Sequence, residues 1–436
     1  MSAPSLRRLA AALAAVTVLA LALRTAGLSA QPVIPDDLSV ATTARQFTDA
    51  GLPEPTMWNH PRLRDHLVAA SLDRLGDTPW GLKAWSVALG TLSVPAVALL
   101  VLAVGGGPVA AVLAALLTAV DGLHLDFSRQ AINDVYLAFF PVAGLAAAWR
   151  YRAARRAGWL LAAGSLFGLG LASKWSAAFP LAAAAALVAA DALRGPGTRR
   201  EKAAELAFAG AALAALPLAI YLATFGPWFG RGYGLGDWLR FHGSMALETA
   251  THTGYAGTKR PGYEGELVGA WRWFLQPVWY ADVSVHRAGQ AQARIVGIGN
   301  PVAWLAVLPA AAWAAFRALR RGDRAALALL ALFAIAYGPF ALARRPIWTN
   351  SAVAVVPFAM ALVGLALARL AEAGRRAVAG AFTAAALAAA AVLVAPAAGI
   401  ATPAGDAVVG AVVPPIAFEP KVADAPGPRH AGEGRP

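Results

Sequence analysis

Long apolar runs alternate with short polar breaks along most of the chain. The runs cover residues 9–23, 84–104, 108–120, 135–148, 159–171, 177–193, 203–225, 302–316, 325–342, 351–367 and 378–394. Each is of helical length, so the pattern predicts about eleven transmembrane helices, the short ones shielded by neighbours. Three polar intervals break the rhythm. The first, residues 28–80, carries two amphipathic helical patterns separated by His60-Pro61. The second, residues 226–298, is rich in aromatic residues. The third, from residue 402 on, is rich in Pro, Gly and charge and is expected to be disordered. The predicted organisation is a membrane module over 1–226 that includes an outer loop at 29–80. A large outer loop at 227–298, further membrane helices at 299–398 and a disordered tail at 399–436 complete it.

Composition supports a polytopic membrane protein. The chain of 436 residues is 58% hydrophobic and 14% charged, against about 25% charged in soluble domains. Its mean hydropathy is +0.56. There is no cysteine, which excludes disulfides, thiolate metal sites and cysteine nucleophiles. The net charge of +13 is read as loop bias rather than as nucleic-acid binding. With the amino terminus inside, the inner segments read WRYRAARR, RGPGTRREK, RALRRGDR and ARLAEAGRR, as the positive-inside rule requires. The first apolar run has the look of a signal peptide with cleavage after Ala30. Leu28 and Arg24 suit such a site poorly, so an uncleaved anchor is expected. Either choice puts residues 29–80 outside.

Lys174 and the pair Arg344-Arg345 then fall on the outer side. An anionic ligand would explain them, and snorkelling at helix ends is the alternative. The outer loops also hold Asp36-Asp37, Asp121, Asp126 and Asp134. The acid pair could cap the helix that follows, and Asp134 could serve the amino end of its own helix. Trp228, Trp238, Trp271, Trp273, Trp279 and Tyr280 in the large interval suit sugar stacking or an interfacial aromatic belt. A divalent metal on Asp36, Asp121, Asp134 and His124 is conceivable, but no H-E-x-x-H or comparable spacing favours one. No cofactor is expected. No internal repeat and no glycine-rich phosphate loop is visible.

Residues 121–140, DGLHLDFSRQAINDVYLAFF, closely resemble a stretch of the actinobacterial protein O-mannosyltransferases. There D-G-L-H runs into S-R, then an Asp five residues later, then Phe-Phe. GLASKWSA (170–177) is similar to the family's G-T-K-W-S-A segment. PDDLSVATTARQFTDAG resembles its first-loop D-E motif and T-A-R helix, and NHPRL its H-P-P turn. WGLKAWSVALGT, WRWFLQPVWY, GIGNPVAW and RRPIWTNSAVAVVPF resemble later segments in order. Asp36-Asp37 stands for the family's Asp-Glu, Asp65 for a lysine, and Lys83 for an arginine. The family's H-P-Y-x-S segment has no clear counterpart near residues 252–255.

The resemblance implies a GT-C fold enzyme of the plasma membrane. Such an enzyme takes a sugar, here mannose, from a polyprenyl-phosphate carrier on the outer face and moves it with inversion to an acceptor hydroxyl. A secreted protein, a cell-wall glycan and a lipid headgroup all stay open as acceptor. The leaving group is a phosphate, so no general acid is needed, while the acceptor hydroxyl needs a base. Asp36 is the expected base, with Asp37 and Asp134 as further catalytic carboxylates. Lys83, Lys174, Arg344 and Arg345 are expected to meet the phosphate, and Arg129 to orient Asp134. His60 and Asp121 complete the expected substrate contacts. The alternative class is a transporter or lipid flippase, which needs ionisable residues near mid-membrane. A catalytically dead binding partner is a third reading.

Overall fold

The computed structural model describes residues 2–31, 33–49, 60–251, 269–285, 291–343 and 347–413. Every apolar run becomes a helix. They are α1 (Ala3–Thr25), α4 (Pro79–Ala103), α5 (Pro108–Ala119), α7 (Asp134–Ala154), α8 (Ala157–Leu171) and α9 (Ala178–Arg194). A rod follows, made of α10 (Arg199–Gly210), a π-helical segment (Ala211–Ala215) and α11 (Leu216–Ala223). Later come α14 (Pro301–Leu305), α15 (Val307–Arg321), α16 (Arg324–Ala341), α17 (Val356–Glu372) and α18 (Arg376–Ala397). Among the described residues seven helical stretches are long and apolar enough to cross a membrane. The chain is therefore a multi-pass membrane protein. α5 and α8 are shorter apolar helices, so about eleven spans is more than length and composition alone support.

The core forms where small residues let helices approach. α17 is buried almost all round and packs along α5. A Cβ on Gly364 would lie 2.7 Å from the Ala114 nitrogen, so backbones meet there. Between membrane helices, dispersion at such close contacts drives association. α4 packs on α7, and α7 on α8. A Cβ on Gly164 of α8 would sit 1.9 Å from the Ala212 carbonyl, which seats the π-helical segment directly against α8.

The polar intervals are structured too. The first holds α2 (Pro35–Thr48) and α3 (Leu63–Leu75), the two amphipathic patterns the sequence predicts. The segment between Val120 and Asp134 folds as the short helix α6 (Gly122–Phe127), capped by Asp121. The large interval contains α12 (Gly226–Gly230), α13 (Leu235–Thr251) and an antiparallel hairpin of β1 (Trp279–Val285) and β2 (Ala291–Ile298). In its register Trp279 faces Ile298 and Tyr280 faces Gly297. The hairpin departs from a purely helical expectation. Its base is buried against α6 and α18, which an alternating strand with a glycine permits. The expected disordered tail also begins as a helix, α19 (Pro403–Val412), with Thr402 as its cap and Val409 and Val413 buried. Residues 414–436 lie outside the described residues.

Candidate active site

Asp36 and Asp37 open α2 and have opposite fates. Asp36 is exposed, while Asp37 is fully buried. The Ile34 N–H donates to one oxygen of Asp37 at 3.2 Å, and Lys83 Nζ lies 3.0 Å from that same oxygen. The Ala131 N–H donates to the other oxygen at 2.8 Å. Asp37 thus reaches back to the helix start as a capping residue does and pins α2 to α4 and to the segment after α6. Lys83 is fully buried in this contact. The expected phosphate role of Lys83 and reactive role of Asp37 give way to this pin, because burial takes both from a ligand's reach.

Three residues beyond Ala131 stands Asp134, no more than about 11 Å of chain away. Its Oδ1 is 2.7 Å from Lys174 Nζ, and Asn350 Nδ2 donates to its Oδ2 at 3.4 Å. The neighbouring Asn133 donates through Nδ2 to the Ser173 carbonyl at 2.9 Å, and its Oδ1 accepts from Arg64 Nη1 at 2.9 Å. The Leu63 N–H donates to the Ala172 carbonyl at 2.9 Å. The start of α3, the start of α7 and residues 172–174 are thereby tied into one knot. Asp65, fully buried, accepts from Arg62 at 2.9 Å and pairs with Arg64 at 3.1 Å. Partly buried His60 is held well below the ordinary histidine range, first by burial and then by Lys174, Arg64 and Arg62. Burial disfavours the imidazolium, and the cations disfavour it further. The site is thus rich in cations, with Asp134 and Asp65 as counter-charges.

Other expected site residues stand elsewhere. Asp121 is fully buried and accepts from the His124 N–H at 2.9 Å, the Asn300 N–H at 2.9 Å and Trp304 Nε1 at 2.8 Å. It joins α6 to α14 and is spent on protein donors, not on substrate. Buried Arg129 does not orient Asp134. Its Nη1 donates to the carbonyls of Leu23 at 3.1 Å, Arg24 at 2.9 Å and Ala26 at 2.9 Å. The last carbonyls of a helix lack intrahelical partners, and Arg129 supplies them for α1. Arg24 Nη2 in turn meets His124 Nδ1 at 2.8 Å, and Ser93 Oγ meets Nε2 at 3.0 Å. Arg344 and Arg345 lie outside the described residues. Trp273 and Trp279 are buried in the core, and Trp271 is exposed. Among the described residues no three His, Asp or Glu side chains converge as metal ligands.

Arg64, Asn133 and Asn350 were not singled out from sequence. The alternation Arg62-x-Arg64-Asp65 after the His60-Pro61 break is a signal for the first. Nothing in the chain pattern points to the asparagines.

An aromatic wall adjoins the knot. Trp175 Nε1 donates to Tyr221 Oη at 2.9 Å, and Tyr221 Oη is 2.7 Å from His242 Nε2. Beside it opens an apolar cavity of about 330 Å³ lined by Leu171, Trp175, Leu181, Leu213, Pro217 and Tyr221. Arg231 of α12's end donates to the carbonyls of Gln46 and Asp49. It thereby caps the far end of α2, the helix that begins with Asp36.

A family profile described as dolichyl-phosphate-mannose-protein mannosyltransferase matches residues 65–230. A polyprenol-phosphate-mannose–protein mannosyltransferase of Mycobacterium tuberculosis is 27% identical over 71% of this chain and 69% of its own. That of Corynebacterium glutamicum is 23% identical over 72% of this chain and 71% of its own. Among solved structures, the Saccharomyces cerevisiae Pmt1–Pmt2 complex bound to the sugar donor superposes with a TM-score of 0.75 at 12% identity. That match covers 90% of each chain. The Archaeoglobus fulgidus oligosaccharyltransferase gives 0.55 at 17% identity, over 90% of this chain and 56% of that one.

Proposed function

From the premise that this chain is a protein O-mannosyltransferase-like enzyme with the GT-C fold, we propose its reaction. It moves mannose from a polyprenyl-phosphate carrier to a protein hydroxyl, at the outer face of the plasma membrane. The names of the mycobacterial and corynebacterial relatives support the donor and the acceptor. The observation that carries the assignment of the chemistry is the division of labour at the start of α2. Asp37 is buried and pinned, and Asp36 beside it stands exposed. The pin ends three residues from the Asp134–Lys174 pair.

In the proposed step the acceptor oxygen attacks the anomeric carbon from the side opposite the phosphate. The bond from that carbon to the phosphate oxygen breaks, and the carrier leaves as polyprenyl phosphate. Asp36 takes the hydroxyl proton as the new glycosidic bond forms, and the anomeric configuration inverts. Charge grows on the departing phosphate, and fixed cations lower the barrier most where charge grows. Lys174 is the cation nearest the reaction, held by Asp134, with Arg64 and neutral His60 beside it. Arg344 and Arg345 stay in the proposal as outer-side cations. The isoprenoid tail lies in the apolar cavity against Trp175, one residue from Lys174. Lysine and arginine, rather than a metal, meet the phosphate in this reading.

The test is transfer from polyprenyl-phosphate mannose to an acceptor peptide by purified Asp36→Asn. Transfer is expected to vanish, with thermal unfolding unchanged because the side chain is exposed. Wild-type turnover in that variant would remove Asp36 as base.

A further inference from the structure

Two of the basic turns, α15–α16 and α17–α18, are tied together by one acid. Residues 317–324 and 369–376 hold seven arginines and two carboxylates, Asp323 and Glu372. Asp323 caps α16, its Oδ1 accepting from the Ala326 N–H at 3.1 Å. Its Oδ2 takes Arg317 Nη2 at 3.0 Å and lies 3.7 Å from Arg369 Nε near the end of α17. Arg369 Nη1 also meets Glu372 at 2.7 Å. Both carboxylates are then engaged, by Arg317 and Arg369. Arg320, Arg321, Arg324, Arg375 and Arg376 are exposed. None of these five has a side-chain hydrogen bond or ion pair among the described residues.

The fold puts this surplus of positive charge at the level of lipid headgroups. α15, α16 and α18 belong to stretches long and apolar enough to cross a membrane, and the five arginines stand at the ends of those stretches. On α15, Phe316 and Leu319 point away from buried Ala310 and Ala314 and are 53% and 84% exposed. On α16, Leu327, three residues beyond Arg324, is 57% exposed. Apolar side chains thus run from the arginines into the bilayer. Guanidinium groups gathered in this way repel one another, and their planar forks match phosphate oxygens. Basic sites between membrane helices at such an end suit acidic lipid headgroups.

We propose that the joined turns bind an acidic glycerophospholipid. Its phosphate sits among the arginines of the two turns, and its acyl chains lie along Phe316, Leu319 and Leu327. A zwitterionic lipid suits the place less well, because its ammonium brings more positive charge to a surplus. The site is separate from the proposed reaction. Arg369 stands near the end of the 17-residue α17, and Asn350, beside Asp134, precedes its start.

The test is thermal unfolding of the delipidated full chain in dodecyl maltoside, titrated with dioleoyl phosphatidylglycerol or dioleoyl phosphatidylcholine. A lipid that binds the folded chain raises its unfolding temperature, so a saturable rise with phosphatidylglycerol alone is expected. In the triple variant Arg320→Gln, Arg321→Gln, Arg376→Gln the half-saturating mole fraction should rise at least about fivefold, the effect of a single surface arginine. Arg156→Gln, Arg199→Gln, Arg200→Gln removes the same charge from other turns and should shift it less than about twofold, as screened charge does. No rise, an equal rise with phosphatidylcholine, or an equal shift in both triple variants overturns the proposal. Should the first variant fail to fold, Leu319→Cys in this cysteine-free chain carries an NBD dye instead. Doxyl-labelled phosphatidylglycerol should then quench it more than doxyl-labelled phosphatidylcholine at the same mole fraction. Equal quenching overturns the proposal.

Discussion

At the scale of single residues, two neighbouring carboxylates show how burial assigns roles. Asp36 and Asp37 are the same group one position apart, and the step of about 100° between adjacent helical residues sends them to different surroundings. Composition and spacing mark the pair, but which member faces inward depends on α4 and on Ala131, which lie far off in the chain. Lys83 was marked only through the family resemblance, as the counterpart of an arginine, and its partner was not legible. Lys83→Met would leave Asp37 buried without its cation. Removing one member of a buried pair costs about 3–5 kcal/mol, so the variant should unfold at a markedly lower temperature in detergent. The double variant Asp37→Asn with Lys83→Met should recover part of that loss, because it leaves no lone charge behind. His60 gives a second test. Its folded-state pKa is depressed, so below the unfolded value of about 6.5 the unfolded chain takes up a proton that the folded chain refuses. Stability from this residue is complete above that pH and is lost as pH falls toward the folded value. Thermal unfolding between pH 7 and pH 5 should therefore fall less steeply in His60→Gln than in wild type.

Among elements, α2 is the one whose placement matters most to the proposed chemistry. Its first turn is fixed by Asp37, and its last carbonyls are held by Arg231. The sequence shows α2 as an amphipathic pattern after an acid pair. It does not show that a residue 182 positions later closes its far end. Helix ends need such partners, and Arg231 does for α2 what Arg129 does for α1. Without it the helix would rock about its pinned start and carry Asp36 off line. Small misplacement of a positioned group is costly, so Arg231→Ala should lower kcat about tenfold or more with the donor KM little changed. Arg231→Lys should recover part of kcat. A loss confined to thermal stability, with kcat intact, would assign Arg231 to scaffolding alone. The hairpin was the least legible element. A helical period dominates the chain, and β1 and β2 are short segments inside a loop whose partners, α6 and α18, flank it at a distance in sequence.

The molecule as a whole was the most legible in outline, because the bilayer leaves helices as the natural use of long apolar runs. All eleven runs are helical, although the number that truly cross rests on more than length. The charge distribution predicts which ends face inward. Single cysteines in this cysteine-free chain can test it with an impermeant maleimide. Arg320→Cys, exposed in the last helical turn of α15, should label only after the membrane is opened. Asp73→Cys, exposed near the end of α3, should label in intact cells. Labelling of Arg320→Cys in intact cells would overturn the topology expected from charge.

The clamp of Arg129 on the end of α1 sets a schedule for biosynthesis. Its Nη1 bonds to a carbonyl 105 residues earlier in the chain. A ribosome adding about 5–20 residues per second needs about 5–20 seconds to travel that stretch. Throughout the wait, α1 sits in the nascent membrane with its terminal carbonyls turned to water and lipid headgroups. The oldest helix is locked only when a much younger arginine arrives, so the end of α1 cannot be fixed in place before the segment between Val120 and Asp134 has been made.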